Sequence, residues 1–440
     1  MDDGVFRVVS LLIGWFVAAL PQVLSAQIVP LPEGATMGTT YHVSVVFTEQ
    51  LEAERQTARL SVLQAEIDAA LRQVNAQMST YDPNSELSRF NASRGIEPFP
   101  VSAATARVVA KALELSELSD GAFDPTVAPL VELWNFGNGR QTPRIPEDAE
   151  IDAARARVGY QHLKVQHDPP ALQKDLPELA VDLSAIAKGY GVDVVSELLA
   201  EQSNLSAFMV EIGGEVRTQG LKPDGTPWRI SILKPVEGSF ENYRVVGLSS
   251  ESLATSGNYR NYFDVDGVRY SHTIDPSTGR PVTHDLASVS VLANDCMSAD
   301  GVATLITVLG PEQGLRFAEE HGYAALLIRR TEIGLEDMAT SLAVGRFQPL
   351  GPASAAPAEQ QAASPWNTLL MTVVVFALAL CGLAIGVLVS NRQLRGTCGG
   401  LQSLKDGKGT SMCEMCATPK EQCEEFRNQI AKMQSESPAE

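Results

Sequence analysis

Two apolar runs decide the fold class: Ala207-Phe208-Met209-Val210-Glu211-Ile212-Gly213-Gly214-Glu215-Val216 and, after the turn Pro223-Asp224-Gly225, Trp228-Arg229-Ile230-Ser231-Ile232-Leu233. Both read as strands, and turn residues rather than a helix separate them. Working outward, Asp266-Gly267 marks another hairpin. Upstream, Leu60, Leu63, Ile67, Leu71, Val74 and Met78 recur at helical spacing and predict an amphipathic helix packed on a core. Ser102 is placed to cap a second helix running through Leu115. Strands and helices are therefore mixed without regular alternation. That pattern predicts an α+β domain rather than a doubly wound parallel sheet.

The ends of the chain differ from its middle. An apolar run from Val8 to Leu20, ending near Leu24-Ser25-Ala26, predicts a signal peptide over residues 1–26; an uncleaved anchor is the alternative, because Asp2 and Asp3 oppose Arg7. Either way the following domain, residues 27–348, is exported. Residues 349–366 have the Ala, Pro, Gln and Ser composition of a linker. Residues 367–390 are uncharged and long enough to span a bilayer, with Trp366 at one rim. Arg392, Arg395, Lys405 and Lys408 follow at once, so the positive-inside rule puts the 391–440 tail in the cytoplasm of a bacterial inner membrane and the large domain in the periplasm. The net charge of -19, with no long basic stripe, argues against nucleic-acid binding by phosphate neutralisation.

Four segments of the large domain are too polar and too glycine-rich for ordinary core: Ala122–Thr126, Val181–Gly191, Glu211–Glu215 and Ala254–Arg260. They are candidates for a site assembled from loops. In Val181-Asp182-Leu183-Ser184-Ala185-Ile186-Ala187-Lys188-Gly189, a strand turning into a helix would offer free N–H groups and the Lys188 charge to a phosphate. The alternative is that Asp182 only caps the helix and Lys188 is solvated. Asp300 and Thr304 stand four apart on one face of a helix through Leu309, which with a backbone carbonyl makes an all-oxygen site suited to magnesium. An N-capping Asp300 with a core-facing Thr304 is the competing reading. His272, at a strand end before Asp275-Pro276-Ser277-Thr278-Gly279, is a candidate general base that Asp275 could orient.

Taken in order, Met37-Gly38-Thr39-Thr40-Tyr41, Met78-Ser79-Thr80-Tyr81, Ala122–Thr126, Asp182–Tyr190, Glu211–Glu215, Ala254-Thr255-Ser256-Gly257, His272–Gly279 and Ala299–Thr304 resemble the motifs of the ApbE family of FAD:protein FMN transferases. The resemblance covers roughly Pro30 to Gln348 and implies a single large mixed α/β, T-fold-like domain. It implies FAD as substrate, held at Met37, Tyr81, Ala122, Phe123, Asp124, Asp182, Lys188 and Ile274. It further implies Mg2+ on Asp300, Thr304 and the main-chain carbonyl of Ala185, with His272 assisting catalysis. The implied reaction moves FMN from FAD to a Ser or Thr hydroxyl of an acceptor flavoprotein and releases AMP. An FAD pyrophosphatase and a non-catalytic flavin-binding or iron-delivery membrane protein are the rival functions. Thr36, in Glu33-Gly34-Ala35-Thr36, faintly resembles an acceptor threonine, although it reads as the start of a strand.

The tail carries Cys398, Cys413, Cys416 and Cys423, four soft ligands that suit iron or zinc, with a redox CxxC pair as the rival reading. The span and tail resemble NqrM-type maturation proteins of the Na+-translocating NADH:quinone reductase. That resemblance implies subunits of this membrane complex as partners and iron as the metal of the tail.

Overall fold

The computed structural model describes residues 27–137, 144–258, 262–265 and 268–349. The expected signal segment, span and tail, including Cys398, Cys413, Cys416 and Cys423, lie outside the described residues. Among the described residues no helix is long and apolar enough to cross a membrane. The strand Phe347–Pro349 pairs with Asn242–Leu248, so the folded domain runs through Pro349, one residue into the expected linker.

A nine-stranded sheet organises the domain. Its order is Ile28–Pro30, Thr39–Phe47, Leu205–Ile212, Glu215–Gln219, Ser252–Gly257, Leu286–Ala293, Ala324–Thr331 and Gly334–Ala339, with Gly34–Thr36 paired beside Thr39–Phe47. Its pairings are antiparallel, which is the α+β arrangement expected of strands joined by turns. One expectation is corrected: Ala207–Val216 is two strands, because Gly213 and Gly214 both take positive φ (61° and 110°) and fold the run into a hairpin with Ile212 opposite Glu215. Only residues tolerant of positive φ fit this two-residue turn.

Helices cover the sheet's apolar face. The periodic run lies in Ala53–Met78, where Leu63, Ile67 and Leu71 are buried against Val43, Val45, Val210 and Ile212. Burying each such side chain stabilises the fold by about 1.5–3 kcal/mol. Ser102 caps Ala103–Leu118 by accepting the Thr105 N–H at 3.2 Å, as its residue type predicts. The Cys296–Glu320 helix is interrupted immediately after Leu309, where Gly310 takes a positive φ (φ 79°, ψ -179°) and Pro311 follows. Ala187–Ala200 packs against both the Cys296–Glu320 helix and the central strands.

Two further units frame the site. Trp228–Leu233, Asn242–Leu248 and Phe347–Pro349 form a separate three-stranded sheet. Tyr262–Val265 pairs with Val268–Ser271, the hairpin expected around Asp266-Gly267.

Candidate active site

The start of the Ala187–Ala200 helix meets the start of the Cys296–Glu320 helix, and each supplies the acid that caps the other. Asp300 accepts the Gly189 N–H at 2.9 Å. Asp193 accepts the N–H groups of Cys296 and Met297, both at 2.9 Å, and an Arg217 guanidinium N–H at 2.5 Å. A carboxylate at a helix N-terminus satisfies orphan N–H groups and the positive end of the dipole, and here the exchange is reciprocal. The crossing needs glycine: a Cβ on Gly189 would lie 2.3 Å from the Cys296 carbonyl oxygen and 2.8 Å from the Asp300 Cβ.

Several expectations change here. Residues 181–183 form no strand and are followed by a turn over 184–186 before the helix begins at Ala187. Asp182 does not cap that helix; its carboxylate accepts the Ser184 N–H at 2.8 Å, and the N-cap is Ile186. Asp300 is not the cap of its own helix, a place taken by Asp295, which accepts the Ser298 N–H at 2.8 Å. The first turn of the Ala187–Ala200 helix is not left wholly open to a phosphate either, since Asp300 occupies the Gly189 N–H.

Lys188 sits between two carboxylates, 3.0 Å from Glu215 and 3.5 Å from Asp300. Those acids are only 4% and 3% exposed. Burial opposes the Lys188 charge, but the fields of Asp300 and Glu215 outweigh it and hold its pKa above the ordinary value. Burial raises the pKa of the Glu215 carboxyl, with Lys188 pulling it back and Asp300 pushing it further up. Among the described residues Glu215 Oε2 has no hydrogen-bond partner. The ordered sequence did not single out Glu215 or Asp193 for a role. Their partners are 27 and 103 residues away, too remote for any spacing rule to find.

The other predicted residues converge on one cleft of about 1120 Å³, above the range of about 300–1,000 Å³ common for small-ligand pockets. Met37, Tyr81, Ala122, Phe123, Asp124, Asp182, Ala185, Lys188, His272, Ile274, Asp300 and Thr304 all line it. Met37 takes a positive φ of 49° at the Met37-Gly38 turn, and its sulfur packs beside Gly191, where any Cβ would come within 3.3 Å. Such backbone strain in a long side chain is concentrated at functional sites. Tyr81 is 70% exposed at the rim. Asp124 is buried, and its carboxylate fixes its own loop by accepting the Thr126 N–H at 2.8 Å and the Tyr160 N–H at 2.9 Å. Desolvation raises its pKa.

Of the segments expected to be loops, Glu211–Ile212 and Ala254–Gly257 are strand residues of the main sheet. Thr304 Oγ lies 3.2 Å from Ser256 Oγ, so one hydroxyl of the proposed magnesium set is presented by helix and strand together. Among the described residues no group of three or more His, Cys, Asp or Glu is arranged for a metal. The mixed set of Asp300, Thr304 and the Ala185 carbonyl fits a hard cation nonetheless, because all its donors are oxygen and, among the described residues, Asp300 Oδ1 is engaged only by the long contact to Lys188.

His272 is positioned by a stack of aromatic rings that the sequence did not reveal. Trp134 stacks on Tyr270 (5.6 Å), Tyr270 on Phe263 (5.3 Å) and Phe263 on Phe136 (5.3 Å), and Phe136 meets His272 edge-on at 6.4 Å. Trp134 also donates its indole N–H to the Gly279 carbonyl at 2.8 Å, anchoring the far end of the same loop. Asp275 spends its carboxylate on that loop, accepting from the Ser277 N–H and hydroxyl at 2.8 and 2.7 Å. Thr36 is 8% exposed and accepts from the Asn75 amide at 2.9 Å, an enclosed position for an acceptor hydroxyl.

Comparison with known proteins matches this arrangement to one family. The ApbE family model matches residues 37–327. A curated FAD:protein FMN transferase from Vibrio cholerae is 47% identical over 308 residues, covering 70% of this chain and 90% of the relative. One from Escherichia coli is 41% identical over 300 residues, covering 68% and 83%. Among solved structures, the flavin transferase ApbE from Vibrio cholerae superposes with a TM-score of 0.64 at 46% identity, covering 72% of this chain and 98% of that one. The apo form of Pseudomonas stutzeri flavinyl transferase ApbE does so at 0.66 and 39% identity, covering 74% and 98%. A mixed α/β domain with these motifs in this order, at such identity over two thirds of its length, belongs to the ApbE family.

Proposed function

We propose that this enzyme is a FAD:protein FMN transferase that uses magnesium to move FMN from FAD to a Ser or Thr hydroxyl of an acceptor protein. The observation that carries the reading is Lys188, kept charged by two buried carboxylates at the wall of a cleft that exceeds a common small-ligand pocket. A lysine fixed in that way is a ready countercharge for a pyrophosphate.

Asp300, Thr304 and the Ala185 carbonyl would hold the magnesium, which when bound neutralises phosphate charge. The rest of the chemistry belongs to protein groups. Lys188 holds the pyrophosphate against the joined helix starts. Phe123, Ile274 and Met37 offer apolar surface to the flavin and adenine rings. His272 takes the proton from the acceptor hydroxyl, whose oxygen forms a bond to the FMN-side phosphorus while the bond from that phosphorus to the bridging oxygen breaks and AMP leaves. Most of the rate enhancement on this reading is positioning and charge stabilisation.

FAD, magnesium and an acceptor protein, followed by mass spectrometry, test it: a phosphoester-linked FMN adduct with one AMP released per adduct is expected. Free FMN and AMP without an adduct would establish the pyrophosphatase instead, because hydrolysis differs only in water reaching the phosphorus. No turnover would leave only a flavin-binding role.

The setting of the reaction is also part of the proposal. Residues 367–390, read as a span with basic residues following it, support a periplasmic transferase and a cytoplasmic cysteine tail. Resemblance of the tail to NqrM-type proteins supports subunits of the Na+-translocating NADH:quinone reductase as acceptors and iron handling by Cys398, Cys413, Cys416 and Cys423. Anaerobic purification with metal analysis of the full chain tests the tail; absence of both iron and zinc sinks that half alone.

A further inference from the structure

The Trp228–Leu233 strand is the last strand of its three-stranded sheet and pairs on one side only, with Asn242–Leu248. Among the described residues no hydrogen bond reaches its outer edge. Four consecutive residues of it, Ile230, Ser231, Ile232 and Leu233, nevertheless line the cleft. Side chains alternate between the two faces of a strand, so consecutive residues can share one cavity only through the edge of their backbone. Ile232 is buried in the core beneath the sheet, Ser231 is exposed on the other face, and the edge between them opens on the cleft.

Natural folds cover, charge or shorten an exposed strand edge, because its row of N–H and C=O groups recruits another chain. Here the bare edge opens into the same cavity as Lys188, Asp300 and His272. Polar main-chain groups at strand spacing match an extended polypeptide over several residues, whereas a flavin or adenine ring spans only one or two of them. We infer that this edge docks the acceptor: an extended, Ser- or Thr-bearing segment of the acceptor protein adds to Trp228–Leu233 as a further strand and so delivers its hydroxyl to the cleft. The inference rests on the transferase reading and specifies its second substrate as a main-chain conformation before a side-chain sequence.

Strand addition has a signature that simple cleft filling lacks. Only every second residue of an added strand turns its N–H toward the enzyme. The experiment uses the full chain with FAD, magnesium and a synthetic nine-residue peptide of strand-forming residues around one central Thr, with FMN adduct and AMP both measured. Two variants of the peptide carry backbone N-methyl groups, one on the even and one on the odd positions flanking the Thr. Docking on the edge predicts that one set lowers the rate of adduct formation by roughly tenfold or more, through two or more lost hydrogen bonds, while the other set leaves it within about twofold. Equal effects of the two sets overturn the docking mode. A peptide left unmodified by an enzyme that releases FMN and AMP from FAD also overturns it and leaves phosphoryl chemistry standing. Absence of any FAD turnover removes the transferase reading, and the docking inference with it.

Discussion

Two lysines of this domain are held in the interior in opposite ways. Lys174 is 1% exposed, donates to the carbonyls of Leu179 (2.8 Å) and Phe90 (3.4 Å), and lies 4.9 Å over the Phe90 ring. Among the described residues it meets no carboxylate, and burial pushes its pKa down to about 8. Lys188 retains 30% exposure yet is gripped by Glu215 and Asp300, and its pKa moves up. Burial alone thus makes a tie: Lys174 pins the segment leading to Val181 and Asp182. Carboxylates facing an ammonium at the wall of a cleft make a site, because the charge is kept and aimed.

Replacing Asp300 is the severest way to break this contrast. Asp300→Ala removes the cap on Gly189 and one of the Lys188 partners at once. It is expected to lower FMN transfer by about 10²–10³-fold and stability by about 3–5 kcal/mol, the range for breaking a buried ion pair. Steady-state transfer assays and urea melts measure both, and an Asp300→Ala protein with full activity would refute the proposed metal site. Lys188→Met is next: it keeps the side-chain length and leaves Glu215 and Asp300 facing each other. A loss of roughly 10²-fold in kcat/KM is expected, whereas Lys174→Met should retain transfer activity and cost about 1–3 kcal/mol, because the Leu179 carbonyl loses its Lys174 donor while the Phe90 carbonyl keeps the Ser93 N–H. Equal activity losses from the two would erase the distinction.

Gly189→Ala probes the geometry without touching a charge. The 2.3 Å approach to a backbone oxygen forces the two helix starts apart. Overpacking of this kind costs about 1–3 kcal/mol, and a displacement of Lys188 from Asp300 is expected to reduce transfer by up to about 10²-fold. Thermal melts beside activity separate the two effects; a variant with normal activity would mean that the crossing tolerates slack.

A pH dependence of stability, which leaves transfer activity untouched, comes last. Lys174 has a folded pKa below its ordinary 10.5, so between about 8 and 10.5 the unfolded chain binds the proton that the folded chain has released. Stability of the unmodified protein therefore rises with pH across that window relative to Lys174→Met. Urea midpoints of the two proteins from pH 7 to pH 10.5 read this directly, and parallel curves would contradict it.

Much of the site was legible because its residues sit in short, ordered segments. The helix of Leu63, Ile67 and Leu71, the Ser102 cap and the helix running through Leu309 follow from local periodicity and capping chemistry, which act within a few residues. Asp182 and Asp300 were legible as polar residues at helix starts, yet their actual work was not: Asp182 binds Ser184, and Asp300 caps another helix. The single strand expected over Ala207–Val216 missed the hairpin because Gly213-Gly214 also fits a strand pattern until its φ values are known.

The sequence by itself determined the family, the class of fold and the residues that gather at the cleft, since motif order and hydrophobic period are carried by neighbours in the chain. The tertiary structure alone decided what those residues do to one another. Reciprocal capping by Asp300 and Asp193, the Glu215 contact to Lys188, the aromatic stack behind His272 and the bare edge of Trp228–Leu233 all join residues far apart in sequence. Electrostatics and sheet pairing act through space over a few ångströms, and only the folded chain sets those distances.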